Sequence, residues 1–201
     1  MIKQLLAGAA LSVAAQGSMA FYVLGDSVSA WKDSWPQVMR EQYGSWIRAD
    51  VQSGRALVSY DASADLAGID GHGHLGILAL GFNDGTYVHN DLTTAEDYGI
   101  ALRNTVNNWR NADYPFRKVI IVIPPNTRLS EKAHDDVRFQ AQLYCALMIH
   151  YWSQEWLHCV DWDAIGYYDN TRDGIHPTRS FSRDMAAHMY NEINNFAPEA
   201  L

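Results

Sequence analysis

Ser27, His176 and Asp173 are the residues of this chain whose types and spacing best suit nucleophilic catalysis. A serine hydroxyl is a weak nucleophile until a base takes its proton, and the base needs a partner to hold its ring. Ser27 closes the tripeptide Gly25-Asp26-Ser27, directly behind the apolar run Phe21-Tyr22-Val23-Leu24. A short buried strand ending there would deliver the hydroxyl to the carboxyl edge of a sheet, where open α/β folds keep their sites. His176 stands in Asp173-Gly174-Ile175-His176-Pro177, a polar loop read as directly following the last strand and so reaching the same edge. Asp173 precedes it closely enough to accept the imidazole N–H across a tight turn and fix the tautomer. Taken alone, Gly-Asp-Ser is a common turn, and Asp-Gly-Ile-His-Pro a turn leading into the final helix.

Two further segments lie between these in sequence: Val51-Gln52-Ser53-Gly54, and Gly81-Phe82-Asn83-Asp84. In this order the blocks resemble the SGNH (GDSL-type) hydrolase family, and the resemblance runs from Phe21 to about Asn195. It implies a flavodoxin-like three-layer α/β/α sandwich on a five-stranded parallel sheet, and ester hydrolysis through an acyl-enzyme. It also implies Ser27 as nucleophile, His176 as base and Asp173 as the third member. The oxyanion donors would be the backbone N–H of Ser27, the backbone N–H of Gly54 and the side-chain amide of Asn83. No metal or organic cofactor is implied.

Elementary chemistry agrees with each role. Acyl transfer needs donors aimed at the developing oxyanion. A side-chain-free residue after the second strand lets backbone approach a substrate, and an asparagine in a loop bounded by Gly81 and Gly85 offers an NH₂ group. Two departures stand out. Val28 replaces the leucine of the family nickname, and the approach to Gly54, Arg48-Ala49-Asp50-Val51-Gln52-Ser53, lacks the usual asparagine. Asp26 adjoins the serine but reads as structural, holding the turn through backbone hydrogen bonds, and Asp84 reads the same way.

The elements that must position these residues alternate strand and helix over short connections, which argues a parallel sheet covered on both faces. Strands are predicted at Phe21–Leu24, Ile47–Val51, Gly76–Leu80, Lys118–Ile123 and Leu157–Asp161. The unbroken run Val119-Ile120-Ile121-Val122-Ile123 suits a strand buried on both sides. Helices are predicted at Trp35–Tyr43, Ala62–Ile69, Thr94–Asn111, Glu131–Gln154 and Ser180–Asn195. Thr93 or Thr94, with Glu96 and Asp97 behind, forms an acidic first turn for the third of these.

At 201 residues, 48% hydrophobic and 19% charged, the chain suits one folded domain over 21–201. Its net charge of −8 disfavours nucleic acid and anionic membrane as partners. A small-molecule ester is the expected partner. Residues 1–20 have the layout of a secretory signal peptide: Lys3, an apolar stretch from Leu5 to Ala15, then small residues. Cleavage is expected after Ala15, with Ala20 as the alternative point and a retained apolar helix or anchor as the alternative to cleavage, and the mature protein is expected to be secreted or periplasmic. The stretch is too short to span a bilayer. Cys145 and Cys159 leave one possible pair, which export would allow to oxidise; two separate buried thiols fit the sequence equally well.

Other patterns carry less. Gly71-His72-Gly73-His74-Leu75-Gly76 matches a dinucleotide-binding string but precedes a strand instead of following one. His72 and His74 lack an evident third metal ligand. Gly-x-Ser-x-Gly, the α/β-hydrolase elbow, is absent. Trp31, Trp35 and Trp162 could stack sugars or simply pack. Around the serine, the pattern looks like exported bacterial lysophospholipases, thioesterases and arylesterases, so acyl esters, thioesters and lysophospholipids are the expected substrates. A carbohydrate O-acetylesterase is the alternative within the superfamily. A non-catalytic binding module is the alternative of another class.

Overall fold

The computed structural model describes residues 20–59, 75–112, 115–129 and 131–201. Five parallel strands form one sheet in the order β2-β1-β3-β4-β5: β1 Ala20–Gly25, β2 Trp46–Val51, β3 Leu75–Ala79, β4 Lys118–Ile123 and β5 Leu157–Asp161. The chain leaves β1 toward β2 on one side and returns to pair β3 on the other. The crevice at the carboxyl end of β1 is therefore the topological switch point of the sheet. Ser27 follows it at once.

Burial on both faces explains the apolar strands. In β1, Phe21 and Val23 enter one core while Tyr22 and Leu24 enter the other. In β4, Ile120 and Val122 oppose Val119, Ile121 and Ile123 in the same way. The first core is closed by helices α2 (Trp35–Tyr43) and α6 (Arg179–Phe196) through Trp35, Met39, Met185 and Met189. The second is closed by α4 (Ala95–Asn111) and α5 (Lys132–Ala146) through Tyr98, Leu102, Trp109 and Val137. Two short helices complete the set among the described residues, α1 (Ser27–Ala30) and α3 (Phe82–His89).

Most predicted elements form within a residue or two of their expected bounds, and α2, β4 and β5 match them. Thr94 is the N-cap of α4, in a reciprocal capping box with Asp97. The predicted helix Ala62–Ile69 and the histidines His72 and His74 lie outside the described residues. So does almost all of the predicted signal peptide.

Three expectations are corrected. The segment around Asn83 is helical, not a glycine-bounded loop: Gly81 is the N-cap of α3 and Gly85 lies inside it. Glycine there permits close packing, because a Cβ on Gly85 would stand 2.9 Å from the His134 Cα. The helix expected over Glu131–Gln154 changes character after Ala146, where Leu147–Tyr151 forms a wider π turn. And His176 does not directly follow β5, since the turns Trp162–Ile165 and Tyr167–Asn170 intervene. Cys145, on α5, and Cys159, in β5, form a disulfide, which settles the alternative the sequence left open.

Candidate active site

Ser27 opens α1, a single helical turn at the carboxyl end of β1. Asp26 is the N-cap: its carboxylate accepts the Val28 N–H at 2.9 Å, so it holds the turn as its sequence position suggested. The cap is only 3% exposed. Burial lifts its carboxyl to about 7, against the Val28 hydrogen bond and with the nearby Asp84 carboxylate adding to the rise.

His176 reaches Ser27 from the far end of the chain. Its Nε2 lies 3.0 Å from the Ser27 Oγ, and its Nδ1 lies 2.7 Å from the Asp173 Oδ2. With the ring donating through Nδ1 to the carboxylate, Nε2 is left as the acceptor for the serine proton. Asp173 is itself locked, because its Oδ1 accepts the backbone N–H groups of Ile175 and His176 at 3.1 and 2.7 Å. Its partial burial raises its pKa, but the backbone and ring N–H groups of His176 and the Ile175 N–H outweigh that and hold the carboxyl at about 2. The loop is tied down elsewhere too. Thr171 bridges Pro177, the Arg172 N–H donates to the His176 carbonyl at 2.8 Å, and the Tyr167 hydroxyl donates to the Ile175 carbonyl at 2.8 Å.

The two remaining expected donors sit on neighbouring segments. Gly54 follows β2 with φ of +78°, a left-handed conformation that favours glycine. Its loop is anchored at one end by the Gln52 N–H, which donates to the Gly25 carbonyl at 3.1 Å, beside the nucleophile turn. The other end is gripped by α3. The Asn83 Nδ2 donates to the Arg55 carbonyl at 3.1 Å, and Asp84 accepts the Leu57 and Val58 N–H groups, each at 2.9 Å. One N–H of the Asn83 amide remains for another acceptor. Asp84 is fully buried and burial pushes its carboxyl up to about 6, against those two backbone hydrogen bonds. Ser27, His176 and Asp173 are thus brought into direct contact. Among the described residues no hydrogen bond joins Gly54 or Asn83 to Ser27.

The tryptophans separate by burial. Trp35 and Trp162 are packed against each other in the core, with ring centroids 5.8 Å apart, and cannot stack a sugar. Trp31 is 47% exposed, meets His176 edge-on at 5.3 Å and carries the Arg172 guanidinium 3.8 Å over its ring. The Trp31–Arg172 stack had no signature in the sequence, since the two residues meet only in the folded chain. Among the described residues no cluster of metal-ligating side chains occurs, and no helix is long and apolar enough to cross a membrane.

No protein-family profile and no curated protein matches the chain. Solved structures do. A carbohydrate esterase family 3 protein from Talaromyces cellulolyticus superposes with a TM-score of 0.65 at 18% identity, over 88% of this chain and 99% of its own. The inhibitor-bound aryl esterase of M. smegmatis gives 0.68 at 19% identity, over 89% and 99%. A lipolytic protein of the G-D-S-L family from Veillonella parvula gives 0.64 at 14% identity, over 86% and 97%. At such identities the likeness shows a shared fold, the α/β/α sandwich of these esterases.

Proposed function

We propose that this chain, which has the fold of the SGNH hydrolases, is a serine hydrolase that cleaves carboxylic esters through an acyl-enzyme. The observation that carries the reading is the unbroken hydrogen-bonded sequence Ser27 Oγ, His176 Nε2, His176 Nδ1, Asp173 Oδ2, at 3.0 and 2.7 Å. Ser27 attacks the ester carbonyl while His176 takes its proton, and Asp173 steadies the imidazolium that results. The Ser27 N–H, the Gly54 N–H and the free Asn83 N–H are the donors to the oxyanion. His176 then protonates the leaving alcohol. In the second half-reaction it takes a proton from water, which attacks the acyl carbonyl and releases Ser27.

Acyl esters, thioesters and lysophospholipids are the substrates this reading favours. A carbohydrate O-acetylesterase is the second reading, supported by the exposed Trp31 beside His176 and by the fold shared with a carbohydrate esterase. The disulfide between Cys145 and Cys159 favours an oxidising compartment and so export. Intact mass of the protein from its native source tests this: loss of residues 1–15 or 1–20 is expected, and a retained leader argues against it.

Ser27→Ala should abolish hydrolysis of p-nitrophenyl esters, from acetyl to long acyl chains, and of acetylated glycans, while the circular dichroism spectrum stays the same. A fluorophosphonate should label Ser27. Activity surviving in Ser27→Ala, or a label on another serine, overturns the assignment. A folded wild-type protein inert toward all esters would favour a binding module.

A further inference from the structure

Beside His176 lies a pocket of about 80 Å³ whose walls come from the segment after α1 and from the start of α6. It has room for one small group and not for a long chain. Its chemistry differs from the rest of the acidic surface. Lys32 and Arg172 line it, and Lys32 has no acidic partner among the described residues. Arg179 and Asp33 also line it but face each other at 3.3 Å, so their charges offset. Arg172 stands 3.9 Å from Asp173, whose carboxylate is already engaged by His176.

Two serines complete the lining. Ser34 and Ser182 are only 4% and 3% exposed, yet neither hydroxyl has a hydrogen-bond partner among the described residues. Ser34 is the N-cap of α2 but leaves the cap bond unmade. Neither hydroxyl oxygen is sealed in the core; each opens on the pocket, where a ligand or water can meet it. Both helices that flank the pocket, α2 and α6, also begin there, at Ser34 and Thr178, so the positive ends of two helix dipoles converge on it.

We propose that the pocket lined by Trp31, Lys32, Ser34, Arg172 and Ser182 binds an anionic group, a carboxylate or a phosphate, carried on the alcohol portion of the ester. The assignment rests on the hydrolase reading above. The alcohol side follows from position. His176, which protonates the leaving oxygen, is part of the pocket wall, whereas the oxyanion donors Gly54 and Asn83 are not. Arg172, whose Cζ lies 3.8 Å over the Trp31 ring, supplies guanidinium N–H groups to the anion, and the two hydroxyls that line the pocket are further donors.

The test compares matched acetyl esters that differ in charge on the alcohol side. These are 4-acetoxybenzoate against its methyl ester, and 1-acetylglycerol 3-phosphate against 1-acetylglycerol. Acetate release is followed, and each rate is divided by that ester's hydroxide-catalysed rate. A preference of about tenfold in kcat/KM for at least one anionic ester is expected, the low end for charge-assisted hydrogen bonds at a partly open site. Which pair shows it tells carboxylate from phosphate. The ratio should fall toward one in Lys32→Glu/Arg172→Gln and weaken with added salt. Lys32 is exposed, so Lys32→Glu alone reports on binding without a folding question.

Neutral esters turned over with no anionic preference, or a preference untouched by these substitutions, overturn the subsite and leave the hydrolase reading standing. So does a preference confined to the acyl side, read with phenyl hemisuccinate against phenyl butyrate. No turnover of any of these esters, nor of p-nitrophenyl esters from acetyl to long acyl chains, overturns both.

Discussion

The Asn83 side-chain amide donates to the Arg55 carbonyl, 28 residues away in sequence and one residue beyond Gly54. A side chain from α3 thus fixes the loop that carries a second expected oxyanion donor. Asp84, next along α3, adds two bonds to the same segment at Leu57 and Val58. The donors proposed for the oxyanion are therefore coupled through one helical turn, and are not independent groups on separate loops.

Removing Asn83 should damage the transition state more than substrate binding. Asn83→Ala is expected to lower kcat by about 10²–10³, with a small change in KM. Steady-state kinetics on one ester decides the matter. A variant altered only in KM would mean that Asn83 binds substrate and does not stabilise the oxyanion.

The acid limb of the pH profile should report one proton. Protonated His176 cannot accept the Ser27 proton, so kcat/KM should fall toward low pH with unit slope. Asp173, held at about 2, stays ionised throughout and adds no second proton. Because Asp26, at about 7, also titrates beside Ser27, a slope of two that persists in Asp26→Asn would show another titrating group in the reaction.

Asp173 and His176 should also fail as a unit. Asp173→Asn alone should be strongly impaired with its fold intact, whereas Asp173→Asn added to His176→Ala should cost little more. Kinetics of the two single variants and the double variant make the comparison. Defects that multiply independently would assign the orienting acid elsewhere.

Stability should depend on pH through the buried carboxyls. Asp26 binds its proton more tightly in the folded state, about 7 against 3.8 unfolded, so its contribution is complete below 3.8 and is lost as pH rises toward 7. Asp26→Asn keeps an oxygen for the Val28 N–H and removes the titration. Urea midpoints measured from pH 4 to 8 should fall less steeply in the variant, and its advantage should grow with pH. Parallel curves would mean that Asp26 titrates alike in both states. The slope that remains belongs in part to Asp84, at about 6.

The sequence by itself determined the sheet and nominated the candidate reacting groups. Apolar runs such as Phe21–Leu24 and Val119–Ile123 read as strands buried on both faces because they are short, closed by Gly25 and by Pro124-Pro125, and, in the second, wholly β-branched. Gly25-Asp26-Ser27 and Asp173-Gly174-Ile175-His176 carry their chemistry within a few residues, so local spacing sufficed to nominate them. Tertiary structure alone decided the rest. Ser27 and His176, 149 residues apart, meet at 3.0 Å only because the sheet order sets β1 at the switch point and the turns after β5 bring the loop back across it. The segment after β3 is helical although Gly81, Asn83, Asp84 and Gly85 favour a turn, since close packing on His134 and the grip of Asp84 on Leu57 and Val58 outweigh local propensity. Trp31 is exposed while Trp35 and Trp162 are buried, a distinction of position that residue type does not encode. The pocket at the starts of α2 and α6 has no sequence signal for the same reason: its charges and hydroxyls become neighbours only when the two helices dock on one face of the sheet.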